Sequence, residues 1–324
     1  MSGFHSHGHH HHGHHQGHLD HGERSSLSTR AAIASVSCAI VLLGLKAWGA
    51  YRTGSMAMLG SLADTGLDLF ASLVILLGVR VAALPADRDH RFGHGKAEAL
   101  VALGQVFVIG LSAIAIAIRS VERLAEGAAT SNAELGIGVS LAAILITLGL
   151  TVYQAHVVKL TASVAIATDK LHYQSDMLLN GTVIVALALE QFVHVHGADA
   201  VFGLILAAWL GWGAYRSSSQ SLSQLMDEEW PESDRTEFLK TAGEYSELAG
   251  LHDLRTRSSG THRFVQFHVW VPGEWTVREA HDRMDPVEEA LQRRFPNTEI
   301  LMHLDPEGHT DRETMLPSHL TEKP

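Results

Sequence analysis

Six apolar stretches constrain what this chain can fold into more than anything else in it. They fall near 30–50, 55–81, 97–124, 134–157, 170–192 and 198–217. Each has about the 20 residues a helix needs to cross a bilayer, or somewhat more. Several contain Gly, which membrane helices tolerate and use for close packing. Both ends of the chain are polar, so a mean hydropathy of only +0.08 averages two unlike parts. The expected fold class is an α-helical membrane protein with six transmembrane helices, followed by a cytoplasmic α+β domain.

Two of the apolar stretches carry charge where lipid penalises it. Met58–Leu77, MLGSLADTGLDLFASLVILL, contains Asp64 and Asp68. Four residues advance a helix by about 400° and about 6 Å, so both carboxylates share one face. An ionised group at mid-bilayer costs about 2.5–3.5 kcal/mol on insertion scales, and a bound cation would offset that cost. Thr168–Glu190, TDKLHYQSDMLLNGTVIVALALE, repeats the spacing with His172 and Asp176. Facing helices would then offer three carboxylates and one imidazole, a set suited to tetrahedral Zn²⁺ and also to Fe²⁺, Mn²⁺ or Cd²⁺. Structural polar groups or side chains snorkelling to the interface are the bland alternative, strained by two such pairs in separate spans.

The loop between the second and third stretches holds Arg80, Arg88, Arg91 and Lys96; the next loop on that side has Lys159 and Lys170. With an even number of spans, the positive-inside rule puts both termini in the cytoplasm, against the weaker pull of Arg119 and Arg123. The same loop reads PADRDHRFGHGKAE, in which Asp87, His90 and His94 are close enough in sequence to close around one ion at little entropic cost. Glu98 reads as ordinary charge at a helix N-terminus.

The expected division is a disordered His-rich tail over 1–28, the membrane domain over 29–218, a linker and cytoplasmic domain over 219–306, and a tail over 307–324. Ten of the 23 histidines lie before residue 28, in a tract open to three readings: a purification tag, an inert tail or weak metal capture. In the soluble part, Glu232–Leu248 reads as a helix, and Gly250–Arg257 and His262–Val271 as strands separated by SSGT. Val277–Phe295 has helical periodicity through Ala280, Met284, Val287 and Leu291, and Thr298–Leu304 is a last strand, giving αββαβ. His252, His268, His281, His303 and Asp305 are spread over these elements and can converge in a small domain. Asp305, with two oxygens, could bridge two metals. His156, His194, His196, His262, His309 and His319 show no pattern.

Net charge is −11 and no basic patch interleaves with aromatics, so nucleic acid is not an expected partner. The single cysteine, Cys38, excludes an intrachain disulfide and reads as a small apolar residue. No cleavable signal peptide is visible at the polar N-terminus.

Together, GSMAMLGSLADTGLDLFASL, PADRDHRFGHGKAEAL, HYQSDMLLN, GLHDLRTRSSGTHRFVQFHVWV and LMHLDP resemble the cation diffusion facilitator family, in its bacterial zinc and iron efflux branch. The resemblance runs from about Leu27 to Pro306. It implies a homodimer in the bacterial inner membrane that exports divalent metal in exchange for protons. Asp64, Asp68, His172 and Asp176 would be the transport site, and Asp87, His90 and His94 a loop site. His252, His268, His281, His303 and Asp305 would be a two-metal site at the dimer interface, bridged by Asp305. Lys96 and Asp227 would form a salt bridge at the dimer contact. Zn²⁺ is the favoured ion, as cargo and as structural or regulatory ion, ahead of Fe²⁺ and Cd²⁺. The His-rich tail departs from shorter bacterial relatives.

Two other classes compete. A membrane metalloenzyme needs an open coordination position and a general base, but one ion takes up all four membrane ligands and no HExxH motif is present, so an enzyme is not expected. A membrane-anchored metal sensor or storage protein without transport would use the tail and the soluble cluster, but leaves the membrane carboxylates unexplained.

Overall fold

The computed structural model describes residues 21–53, 56–126, 137–193 and 198–308. The His-rich tract up to residue 20 and His194, His196, His309 and His319 lie outside the described residues. Six long helices come first: α1 (His21–Thr53), α2 (Met56–Ala82), α3 (Lys96–Glu126), α4 (Ile137–Thr161), α5 (Val164–Val193) and α6 (Ala198–Leu225). Among the described residues, four of these helices contain runs long and apolar enough to cross a membrane: Gly22–Arg52, Ser61–Ala82, Lys96–Ala125 and Leu141–Thr161. Helices α5 and α6 pack into the same bundle, α6 chiefly along α3 and α5 along α4 and α6.

The helices overrun the apolar stretches. Helix α1 starts nine residues earlier than its apolar run, and α6 continues to Leu225 through a stretch that reads as a polar connector. Hydropathy marks only the length that lipid covers, whereas the backbone ladder continues wherever side chains permit it. In α6 the extension is packed: Ser221 is fully buried, and Leu225 rests against Ala99, Ala102 and Val164. Small and β-branched residues fill the interior of the bundle, as where Ala31 and Ala32 of α1 meet Ile75 and Val79 of α2 and Ile166 of α5. Large apolar residues such as Leu67, Phe70, Phe107 and Ile114 point outward. Outward Leu and Phe are what lipid requires. Cys38 is buried beside Leu42 and Tyr173.

The C-terminal domain comprises α7 (Glu232–Ala242), a 3₁₀ turn (Ser246–Leu248), β1 (Leu251–Ser259), β2 (His262–Val271), α8 (Val277–Arg294) and β3 (Thr298–Pro306). The sheet order is β1-β2-β3, with β1 antiparallel and β3 parallel to β2. A parallel return needs a crossover, and α8 supplies it. Gly243 stops α7 earlier than its sequence periodicity suggests. The hairpin is tighter than SSGT implies, because Ser258 and Ser259 belong to the ladder and only Gly260 and Thr261 turn, with Gly260 at φ +60°. Phe238, Val265, Phe267, Val269, Met284 and Leu291 form the core between the helices and the sheet. The opposite face of the sheet is left for polar work.

Candidate metal centres

On α2 and α5 the structure brings Asp68, His172 and Asp176 together, with one ligand atom from each within 4.8 Å of the others. His172 Nε2 lies 3.1 Å from Asp68 Oδ1 and 3.7 Å from Asp176 Oδ2, so two carboxylates address one ring nitrogen. The rotation of α5 that aims these groups at α2 is fixed by the neighbouring Tyr173. Its hydroxyl is 2.8 Å from Ser72 Oγ on α2 and donates to the Ser35 carbonyl on α1 at 3.1 Å. Asp64, one turn before Asp68, is exposed and stands outside the three-residue group.

Sequence reasoning missed two supports of this centre. Lys46 of α1 donates to Thr65 Oγ1 at 2.6 Å, between Asp64 and Asp68 in sequence, and brings a positive charge to the carboxylates. Asp169 is fully buried one turn before His172. It accepts from Ser35 Oγ at 2.5 Å, from Gln154 Nε2 at 2.8 Å and from Gln105 Nε2 at 3.4 Å, so α1, α4 and α3 are all tied to α5. The signal was available: Asp169, His172 and Asp176 follow the three-and-four spacing of one helix face. Glu98 lies in the first turn of α3, as its reading as helix N-terminal charge expects, but it is buried. It is only 4% exposed and accepts from Ser163 Oγ at 2.8 Å, which fastens the start of α3 to the turn before α5.

The loop between α2 and α3 gathers Asp87, His90 and His94, again with one ligand atom from each within 4.8 Å of the others. Asp87 Oδ1 accepts from the backbone N–H of His90 at 2.7 Å and of Asp89 at 2.9 Å. These donors, the His90 N–H first, hold its carboxyl below the usual carboxylate range. His94 Nε2 is 3.3 Å from Asp87 Oδ2, while its Nδ1 is buried without a hydrogen-bond partner. A carboxylate with two imidazoles gathered around it is a donor set that fits a divalent ion. Gly95 presses this loop onto the β1–β2 hairpin so closely that a Cβ would strike the Ser259 carbonyl. Lys96 Nζ meets Asp227 Oδ2 at 2.9 Å within a single chain.

The sheet register assembles the third group. His252 pairs with His268 across β1–β2, and His268 with His303 across β2–β3, so the three imidazoles form one rung. Asp305, two residues beyond His303, shares its face and is buried. Its Oδ2 lies 2.8 Å from His268 Nδ1 and 3.4 Å from His252 Nε2, and its Oδ1 lies 3.2 Å from His303 Nε2. One carboxylate touching three imidazoles through both oxygens has the chemistry of a bridging ligand. His281 on α8 stands apart, exposed and 3.2 Å from Asp285. A further acid, Asp253, sits at a bulge with φ +49° and its Oδ1 buried and unpartnered, 3.9 Å on its other oxygen from His268. The bulge between His252 and Arg255 placed it there, and no sequence pattern announces a bulge.

Comparison with known proteins follows the same division. Residues 32–226 match the cation efflux transmembrane domain, and residues 230–307 match the cytoplasmic domain of cation efflux proteins. The chain is 38% identical over 287 residues to the cation-efflux pump FieF of Salmonella arizonae, covering 89% of this chain and 95% of the relative. The same figures hold for FieF of Salmonella agona. Among solved structures, CzrB in its zinc form is 35% identical, covering 26% of this chain and 99% of that one with a TM-score of 0.24.

Proposed function

The chain belongs to the cation efflux family, and from that premise we propose that it exports a divalent metal cation, Zn²⁺ ahead of Fe²⁺ and Cd²⁺, as a metal/proton antiporter. The observation that carries the reading is the meeting of Asp68, His172 and Asp176 between two membrane helices. Borderline nitrogen with hard oxygens suits this series of ions. Metal requires these groups deprotonated, so proton and metal compete for one centre, and that competition couples the two flows. His172 is the natural carrier, since the same ring nitrogen takes either a metal ion or a proton. The centre opens alternately to the two sides, and Asp64, one turn away on the same face, joins the ion as the fourth ligand.

In this reading both termini are cytoplasmic and the protein is a homodimer of the inner membrane. The loop group and the histidine rung hold resident divalent ions, which supply charge and cross-links rather than transport. His281, apart from the rung within one protomer, completes that centre across the dimer contact. The Lys96–Asp227 pair fastens the start of α3 to the chain leaving α6 near that contact. A metal sensor without transport would need only the soluble centre.

The test is flux in proteoliposomes carrying a pH dye. A Zn²⁺ gradient should drive proton movement in the opposite direction, and Asp68→Ala should abolish both flows. Full transport by that variant would refute the site. Metal binding without flux in the unaltered protein would favour the sensor.

A further inference from the structure

A cleft of about 1,220 Å³ lies where the membrane bundle faces the C-terminal domain, and none of the three metal groups lines it. Its two walls carry opposite charge. Lys170 of α5 and Arg216 of α6 line it from the bundle, joined by Arg24 of α1. Glu228 and Glu232 line it from the segment that enters the soluble domain. Two further acids there are already engaged, Glu229 with Arg235 at 3.4 Å and Asp234 with Arg263. Lys170, Arg216, Glu228 and Glu232 have no ion-pair partner among the described residues. Gln224 also lines the cleft, with its Oε1 buried and unpartnered. The first turn of α5 borders it as well and presents the positive end of a helix dipole.

The position of the cleft identifies the solvent it meets. Trp212 and Tyr215 precede Arg216 on α6, each 67% exposed, with ring centroids 5.8 Å apart. Exposed Trp and Tyr rings on a membrane helix mark the headgroup level. Basic clefts between membrane helices at that level are where lipid headgroups bind. Here the facing acids disfavour a purely anionic headgroup, because a second negative charge would meet Glu228 and Glu232. A headgroup with both signs of charge satisfies both walls.

We propose that this cleft binds the headgroup of phosphatidylethanolamine, its phosphate against Lys170 and Arg216 and its primary ammonium against Glu228 and Glu232, with the acyl chains along Trp212 and Tyr215. The ammonium matters as a donor. Phosphatidylcholine carries the same two charges, but its methylated nitrogen cannot donate hydrogen bonds to carboxylates.

The test is native mass spectrometry of the full chain in detergent, titrated separately with dioleoyl phosphatidylethanolamine, phosphatidylcholine and phosphatidylglycerol. Retention should be tightest for phosphatidylethanolamine. Arg216→Ala should weaken it about fivefold, the effect of one basic residue near a membrane surface. Glu228→Gln with Glu232→Gln should weaken phosphatidylethanolamine more than phosphatidylcholine and close the gap between the two. Both variants must elute and melt as the parent does; should Arg216→Ala misfold, Lys170→Ala takes its place. Phosphatidylglycerol bound as tightly as phosphatidylethanolamine, or retention indifferent to these charges, would overturn the assignment. Lipid retained by monomers but missing from dimers would also overturn it, in favour of a second copy covering this face.

Discussion

The membrane centre and the soluble centre use the same two residue types and build them in opposite ways. On α2 and α5, ligands come from helix faces, two of them four residues apart on α5. Such a pair supplies only part of a ligand set and needs another helix to complete it, so under the proposed mechanism the centre would form or open as whole helices move. In the sheet, the ligands are cross-strand neighbours locked by backbone hydrogen bonds, and the core of Val265, Phe267 and Val269 lies directly beneath them. A rung cannot come apart without unzipping strands. Movable helices suit a centre that must release its ion, and a fixed rung suits one that keeps it.

The largest expected effect tests the helix-borne centre. Asp68→Ala should lower metal-driven flux at least about a hundredfold, since even outer partners of a metal ligand are worth ten- to a hundredfold. Asp64→Ala should cost less, because Asp64 stands outside the group in this conformation. Equal losses from the two variants in a vesicle assay would mean that Asp64 holds the ion as firmly as Asp68 does. His268→Ala should do the reverse: flux stays within a few-fold of the parent while the soluble domain loses its stabilisation by metal. At a hundred times the dissociation constant that stabilisation is about 2.7 kcal/mol in the parent, readable as a shift in melting temperature on adding Zn²⁺. Abolished flux in His268→Ala would erase the proposed division of labour.

A smaller effect belongs to the loop. Asp87→Asn keeps an oxygen for the His90 and Asp89 N–H groups, so the loop should keep its shape and lose the charge that attracts an ion. A Zn²⁺ titration should then show one class of site weakened about tenfold, with the others unchanged. Loss of all classes together would mean that the loop holds the protein together rather than a metal.

What the sequence reveals depends on whether geometry is local. Helix-face pairs are local, so Asp68 with His172 and Asp176 is legible from spacing and an apolar background. The Asp87 turn is local as well. Register is not: no rule of spacing aligns His252 with His268 and His303, since a slip of one residue would move every side chain to the other face. The bulge that brings Asp253 to the rung is of the same kind. Glu98 escapes a sequence reading because a charge in the first turn of a helix is ordinarily solvated, and only the fold shows Ser163 arriving over it. Helix ends escape it for a related reason, since hydropathy reports lipid and not hydrogen bonding. The αββαβ order is legible because each element carries its own periodicity and the turns their glycines.

The smallest effect separates stability of the domain from stability conferred by metal. Helix α8 begins with a capping box: Thr276 Oγ1 accepts from the Glu279 N–H at 3.3 Å, and the Glu279 carboxylate accepts from the Thr276 N–H at 2.8 Å. Thr276→Ala should destabilise the metal-free domain by about 1 kcal/mol. The shift on adding Zn²⁺ should be unchanged, because the box lies off the rung. The Thr276 N–H, and after it the Thr276 hydroxyl at 2.8 Å, hold the Glu279 carboxyl below its usual range; Thr276→Ala keeps the first and loses the second. A group whose pKa is depressed on folding stabilises fully above its unfolded value, about 4.3 for Glu, and loses that contribution as pH falls through the lower folded value. The difference between parent and Thr276→Ala, measured by denaturant melts in chelator, should therefore hold steady near neutrality and narrow in acid. A difference that widened in acid, or a metal-induced shift that fell with the cap, would mean that α8 and the rung are one unit rather than two.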